Sequence, residues 1–357
     1  MKKRFNAIDL FCGCGGLSLG FEQAGFNIVM GIDFNEPAIK TFNNHFGANK
    51  GICANLLNYS ESDLIKEKIS KEKIDVIIGG PPCQGFSAAN RWGDNNNDER
   101  NKLFFEYVKF VDFFKPRVVV IENVRQIVTN NKGYAKDQIY KIFESRGYTV
   151  THCILKAEEY GVPQNRRRNF FVAIKGTKPF DFDSLKKQKL VTVGEAISDL
   201  YNFEPNETGE YIGLEPDNDY LVYARDSKFI ENHYIKYPSK STQEKMAYVP
   251  QGGNWENIPP KLFKTIRNNR HSSAYRRLRE DEPSVTIDTG NAHSNYYHPL
   301  FNRIPTVREA ARLQSFPDSF VFCGSKTDQY RQVGNAVPPL LAKALASAIL
   351  EVLKDEE

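Results

Sequence analysis

What this sequence lacks first is a long apolar run: none approaches the roughly 20 residues that a membrane-spanning helix requires. No integral helical membrane protein is therefore expected, and no membrane partner. Lys2-Lys3-Arg4 follow Met1, but the chain passes straight into Phe5-Asn6-Ala7-Ile8-Asp9-Leu10-Phe11 without the apolar core of a secretory signal. Cysteine is sparse. The six present (Cys12, Cys14, Cys53, Cys83, Cys153, Cys323) show no disulfide-framework spacing, so a reducing, cytoplasmic setting is expected. Cys12-x-Cys14 has no second ligand pair nearby, and no metal is expected. Strong net charge is missing too: at +4 the balance argues only weakly for a polyanionic partner. Internal repeats are absent.

What charge there is clusters. Seven basic residues (Lys261, Lys264, Arg267, Arg270, Arg276, Arg277, Arg279) fall within nineteen positions, with no acidic one and with Phe263, His271 and Tyr275 interleaved. That pattern suits a phosphate-tracking surface, with a plain solvated face as the alternative. The first half alternates strand-like runs (Ala7–Phe11, Ile28–Ile32, Ile74–Ile78, Val118–Ile121, Thr149–Leu155, Phe170–Ile174) with helical ones (Leu17–Ala24, Glu36–His45, Leu103–Phe114, Ala135–Ser145). This predicts an α/β fold with a doubly wound, mostly parallel sheet over residues 1–185. From Lys186 the text turns rich in Asn, Pro, Gly and Tyr, which predicts a smaller irregular domain over 186–330. Thr306, with Glu309 three residues on, reads as the capped start of a helix there. Residues 331–357 hold an amphipathic helix, Pro338–Leu353, expected to pack back on the first domain.

Two turns carry the chemistry. Gly79-Gly80-Pro81-Pro82-Cys83-Gln84-Gly85-Phe86-Ser87 follows a buried-strand pattern, so Cys83 stands at a strand's carboxyl end, where open α/β sheets place ligands. The prolines stiffen the approach while Gly85 and the polar residues after it can move. Read alone, Cys83 is either a nucleophile on a rigid post or a buried turn cysteine. Asp9-Leu10-Phe11-Cys12-Gly13-Cys14-Gly15-Gly16-Leu17 runs from strand through a glycine turn into a helix. Ser18 occupies the third glycine position of a dinucleotide fingerprint, which argues against NAD or FAD. A nucleoside bearing an amino-acid carboxylate, such as S-adenosylmethionine, would suit the helix start, and Asp33 could accept from its ribose. A purely structural turn is the other reading.

In order along the chain, these turns are joined by Arg100-Asn101-Lys102-Leu103-Phe104, Glu122-Asn123-Val124, Gln164-Asn165-Arg166-Arg167-Arg168, Arg308-Glu309-Ala310-Ala311-Arg312-Leu313-Gln314-Ser315-Phe316-Pro317 and Gln332-Val333-Gly334-Asn335-Ala336-Val337-Pro338-Pro339. With them the sequence resembles the DNA cytosine-5 methyltransferases, of the prokaryotic restriction–modification type, from Ile8 to the last helix. The resemblance implies a Rossmann-like S-adenosylmethionine-dependent catalytic domain, a target-recognition domain over 186–330, and double-stranded DNA as partner. A cognate restriction endonuclease would be a partner in function, and the location would be the bacterial nucleoid. Cys83 is implied as the nucleophile on cytosine carbon 6, and Glu122 as the group binding ring nitrogen 3 and the exocyclic amine. Arg168 would contact the carbonyl oxygen, and Arg166 would help hold the active-site loop. The alternation of strand residues lets Arg166 and Arg168 point toward one cleft.

The cofactor would lie against Phe11, Gly13, Gly15, Gly16, Leu17, Asp33, Asn55, Pro81, Asn335 and Val337. Asn55 stands where the family usually has an aspartate accepting from the adenine amino group, so weaker cofactor binding is expected. The loop from Gln84 to Asn101, with Ser87 and Arg91, would close over a flipped base. Arg267, Arg270, Arg276 and Arg277, with the Gln251–Trp255 loop, are the expected DNA contacts of the recognition domain. Two alternatives remain in view. A tRNA cytosine-5 methyltransferase shares most blocks, but its Cys-Phe-Thr signature is absent here. An inactive DNA-binding relative would not need Cys83, Glu122 and Arg168.

Overall fold

The computed structural model describes residues 4–82, 99–124, 133–205, 209–211, 215–235, 237–263, 274–289 and 296–355. Two compact units divide the chain. The first comprises Met1–Lys156, Arg167–Lys187 and Pro339–Glu357; the second comprises Ala157–Arg166 and Gln188–Pro338.

The first unit is built on a seven-stranded sheet: β1 (Asn6–Leu10), β2 (Asn27–Asp33), β3 (Gly51–Cys53), β4 (Val76–Gly79), β5 (Val118–Val124), β6 (Tyr148–Lys156) and β7 (Arg167–Lys175). Their spatial order is β3-β2-β1-β4-β5-β7-β6. The pairs from β3 to β5 are parallel. β7 alone is reversed, antiparallel to both β5 and β6. β4 is buried along its whole length and β5 over Val118–Ile121, which is why both read as unbroken apolar runs.

Around the sheet lie α1 (Gly16–Ala24), α2 (Glu36–Phe46), α3 (Tyr59–Lys68), α4 (Glu99–Phe114), α5 (Tyr134–Glu144) and, from the far end of the sequence, a long helix at Pro339–Asp355. Asn35 caps α2 by accepting from Ala38 N at 3.0 Å. The buried Tyr107 hydroxyl of α4 lies 3.0 Å from Val120 O and 3.2 Å from Ile77 O, tying the helix to two neighbouring strands. α1 lies against the long helix at Gly20, where a Cβ would stand 2.3 Å from Ala342 Cβ and 2.6 Å from both Lys343 N and Pro339 O. Arg117 Nη2 donates to Leu353 O at 3.0 Å and holds the other end of that helix.

The second unit has little regular structure. Its longest helices are Lys240–Ala247 and Lys326–Asn335, and its strand pairs (Gly209–Glu210 with Phe229–Ile230, Arg276–Arg277 with Tyr296–Tyr297) are two residues long. Buried charge does much of the bracing. Arg312 pairs with Asp318 at 2.8 Å and with Asp199 at 3.0 Å, and Arg303 grips Glu309 bidentately at 2.6 and 2.7 Å. Thr306 and Glu309 form the capping box that the sequence predicts, at the start of Val307–Leu313. Glu309 is held well below the usual carboxylate range: His298 and Arg303 beside it outweigh burial, which acts the other way.

The unit borders differ from those read in the sequence at two places. Ala157–Arg166 groups with the second unit because Gln164, Asn165 and Arg166 bond to Leu313, Ser284 and Ile287 there. Residues 331–335 continue the helix that starts at Lys326, and the returning helix begins only at Pro339, after the Pro338-Pro339 break.

A Gly20→Ala substitution should lower the unfolding free energy by about 2–3 kcal/mol, the usual cost of overpacking. Urea denaturation followed by circular dichroism checks this. Unchanged stability would mean that the two helices are not in backbone contact there.

Candidate active site

Three strand ends of the first unit converge. β4 ends at Gly79, where a Cβ would stand 2.1 Å from Leu10 O, so only glycine lets β1 and β4 close together there. At Gly80 a Cβ would stand 3.0 Å from Glu122 Oε2, so the chain leaving β4 passes directly against the Glu122 carboxylate of β5. The next peptide is clamped: Asn123 Nδ2 donates to Pro81 O at 2.9 Å. Cys83, two residues further on, lies outside the described residues, as do Gln84, Ser87 and Arg91. Sequence reasoning quoted Asn123 but gave it no role; a polar residue between Glu122 and Val124 at a strand end was the available signal.

Glu122 Oε1 and Arg168 Nε stand 2.9 Å apart, with side chains only 15% and 16% exposed. The reversal of β7 explains the pairing. Because β7 is antiparallel to β5, its first residues lie beside the carboxyl end of β5, and the register sets Arg168 opposite Val124 and Phe170 opposite Glu122. Glu122 and Arg168 are thus diagonal neighbours on one face. The pair fixes the carboxylate while leaving it within reach of a substrate.

Arg166 is placed differently from the expectation. β7 begins at Arg167, so strand alternation does not extend to Arg166. Its guanidinium is 1% exposed and donates to Ile287 O, Gly334 O and Ala336 O at 2.9, 2.7 and 3.1 Å, within the second unit. Gln164 and Gln314 join it: Gln164 Nε2 reaches Gln314 Oε1 at 2.6 Å, and Gln314 Nε2 reaches Ala336 O at 2.7 Å. Three of the sequence blocks therefore meet to hold the turn carrying Asn335, which is exposed, and Val337, which is buried. Gly334, in the last turn of the helix that starts at Lys326, must be glycine, since a Cβ would stand 2.5 Å from Asp288 C.

At the end of β1 the glycine turn adopts left-handed conformations at Phe11, Gly13 and Gly15 (φ 64, 54 and 99). Gly15 offers α1 no side-chain cap, and among the first N–H groups of the helix Gly16 donates to Cys14 and Ser18 to Asp9. A Cβ at Gly13 would meet nothing within 4 Å, whereas one at Gly15 would strike Phe46 at 2.6 Å. Gly13 thus faces open space and Gly15 is demanded by packing. Leu17 is buried in the core, so it offers a ligand only its backbone. Asp33 accepts from Gly13 N and Asn35 N, each at 2.9 Å, which fixes its carboxylate beside the turn. Burial raises its pKa, partly offset by those two N–H groups. Phe34 next to it is 75% exposed, an aromatic that sequence reasoning passed over although it follows an acidic strand end. Asn55 is exposed, and its amide oxygen accepts from Leu57 N at 3.0 Å. That oxygen is already engaged in its own turn.

In the second unit the basic run is not one surface. Arg277 is 5% exposed and donates to Val249 O, Met246 O, His298 O and Phe301 O at 2.6–3.0 Å, so it braces the interior. Arg279 pairs with Asp281 at 2.6 Å. Arg267 and Arg270 lie outside the described residues; Arg276 is half-buried and Lys261 exposed. The charge run showed neither the depth of Arg277 nor the aspartate waiting beyond its end. Among the described residues, no single helix is long and apolar enough to cross a membrane.

The model of one family, C-5 cytosine-specific DNA methylase, matches residues 5–351. The chain belongs to that family. The Type II methyltransferase M1.HphI of Haemophilus parahaemolyticus is 38% identical to this methylase over 350 residues, which cover 98% of this chain and 87% of that one. M.DdeI of Desulfomicrobium norvegicum is 37% identical over 372 residues, covering 96% and 88%. Among solved structures, a prophage-encoded E. coli protein described as a DNA modification methyltransferase superposes with a TM-score of 0.78 at 26% identity, covering 98% of this chain and 99% of that one. The S. pombe Dnmt2 methyltransferase shares the fold, with a TM-score of 0.61 at 20% identity over 98% and 99% of the two chains. Use of S-adenosylmethionine and binding of DNA go with membership of the family, and the methylase carries the Glu122–Arg168 pair within its sheet.

Asn123→Ala removes the clamp on Pro81 O. We expect kcat for methyl transfer to DNA to fall about 100-fold, the scale of an ångström's misplacement, with cofactor affinity within about twofold. Filter assays of labelled methyl incorporation, beside calorimetric cofactor binding, test it; equal losses in both would point to a general collapse of the sheet end.

Proposed function

We propose that this enzyme methylates carbon 5 of a cytosine rotated out of a specific duplex DNA sequence, through a covalent adduct on Cys83. The observation that carries this reading is the Glu122–Arg168 pair at 2.9 Å, against Gly80 and three residues before Cys83. Carbon 5 of cytosine is a weak nucleophile. Addition of the Cys83 thiolate at carbon 6 turns the ring into an enamine that can attack an electrophilic methyl group. Glu122 holds ring nitrogen 3 and the exocyclic amine and supplies a proton there as electron density moves into the ring. Arg168 keeps that carboxylate aimed and donates to the ring carbonyl oxygen. Asn123 fixes the Pro81 peptide, two residues before Cys83 in the sequence. Proton loss from carbon 5 then expels the thiolate and restores the aromatic base.

The residues of the first unit fit S-adenosylmethionine. Gly13 leaves open space for close backbone approach, the start of α1 suits a carboxylate, and Asp33 suits ribose hydroxyls. The exposed Phe34 ring offers a face for adenine. When bound, the cofactor supplies an activated methyl group. Pro81, beside Asn123, is also assigned to the cofactor, as are Asn335 and Val337 in the segment that Arg166 holds. Specificity for sequence is assigned to the second unit, with Arg276 and Lys261 among its described basic contacts and Arg277 as internal support. A cognate endonuclease and a nucleoid location follow from the restriction–modification reading.

Cytosine-conversion sequencing of DNA from cells expressing the protein should show protected cytosines confined to one short motif. They should vanish with Cys83→Ala; a motif still protected in that variant would sink the covalent mechanism. Glu122→Gln should lower kcat by about 100-fold or more while DNA affinity stays within a few-fold. Asn55→Asp should tighten the cofactor Kd by about 3- to 10-fold, the gain from charge-assisting one hydrogen bond, as titration calorimetry would show.

A further inference from the structure

Asp9, one residue before the end of β1, has no part in the chemistry above, yet its surroundings are unusual. The side chain is 1% exposed. Oδ2 accepts from Ser18 Oγ of α1 at 2.6 Å, joining β1 to the helix after the glycine turn. Oδ1 is buried with no hydrogen-bond partner. Among the described residues, the charged groups facing it are both acidic: Asp33 from the end of β2 and Glu122 from β5. Glu122 has Arg168 as counter-ion. From the turn come Cys12 and Cys14, both kept as neutral thiols by burial. β4 contributes only Val76–Gly79, with no titratable group. A buried carboxylate in such company would stand uncompensated, and the physical alternative is to keep its proton.

We propose that Asp9 is a proton reservoir coupled to cofactor occupancy: neutral in the free enzyme, it releases its proton to solvent when a cationic ligand fills the adjoining strand ends. The inference rests on the S-adenosylmethionine reading. That molecule carries a sulfonium and an ammonium against one carboxylate, hence a net positive charge. The demethylated product has a neutral thioether and no such excess. Asp9 would thus be ionised beside the substrate cofactor and reprotonated beside the product, a charge change tied to the reaction itself. Ser18 holds Oδ2 in both states, leaving Oδ1 to carry the proton. Burial pushes the carboxyl up to about 8, with Asp33 and Glu122 adding to the rise and the Ser18 hydroxyl and backbone N–H both opposing it. A group with that value is largely protonated at pH 7, and an added positive charge lowers it, so binding must release protons and tighten as pH rises.

Titration calorimetry of the full chain at pH 7, in buffers of low and high ionisation enthalpy, reads the protons exchanged. With S-adenosylmethionine, wild type should release roughly half to one proton more than Asp9→Asn does, and with S-adenosylhomocysteine the two should agree. Should Asp9→Asn not fold, wild type alone serves. Its affinity for S-adenosylmethionine should rise several-fold, at most about 10-fold, from pH 6 to 7, while affinity for the product stays flat. Equal proton counts in wild type and variant, or the same pH slope for both ligands, would overturn the proposal. Absence of any binding heat or displacement with either ligand would overturn the cofactor reading beneath it.

Discussion

One reversed strand organises the chemistry of this enzyme. In a wholly parallel sheet every strand would deliver its carboxyl end to the ligand side, and no strand would bring its beginning there. β7 runs the other way, so the first residues of a strand stand beside the last residues of β5. A cation read early in β7 and an anion read late in β5 become diagonal neighbours, and Glu122 gains a fixed partner without a loop to position it. Rigid elements hold both ends of the ion pair, which limits the geometric error that loops would introduce.

The Gln164–Arg168 block shows how tightly a short motif can be divided. Its arginines at 166 and 168 are two residues apart, yet they belong to different compact units. Arg166 works by satisfying carbonyls in a turn that has no ladder to satisfy them, as Arg277, Arg308 and Arg312 also do in the second unit. An irregular chain leaves many backbone acceptors unpaired, and a buried guanidinium with five donors answers several at once. Much of the arginine content of that unit therefore acts as internal hydrogen-bonding framework. Such arginines remain buried only because carbonyls and carboxylates surround them.

The sheet was legible because its strands are unbroken apolar runs bounded by glycine, proline and asparagine, and the capping box at Thr306 and Glu309 was legible because a cap is local. β3 and α3 were not: Gly51–Cys53 is three residues long, and Tyr59–Lys68 starts at Asn58 without a side-chain cap. The reversal of β7 was also hidden, since strand direction depends on how a connection closes in space. At the site, Asp33 could be read from its place after a strand, and Glu122 from its motif. The depth of Arg166 and Arg277 could not, because charge in a sequence carries no record of which carbonyls surround it. The exposure of Phe34 and the hydrogen bond from Asn123 to Pro81 O were not legible either, since neither follows from residue type alone.

The first unit is assembled from three separate pieces of chain, and the helix that packs against Gly20 is encoded after the whole of the second unit. During synthesis, the sheet and its glycine turn emerge long before that helix exists. The apolar flank of α1 must wait uncovered while roughly 150 further residues are made, at about 5–20 residues per second. Completion of the first unit is thus tied to synthesis of Pro339–Asp355. A ribosome that stops just before Pro339 releases a chain whose sheet strands are all made but whose α1 lacks the helix that covers it. The first unit is therefore assembled only after the chain of the second has been made.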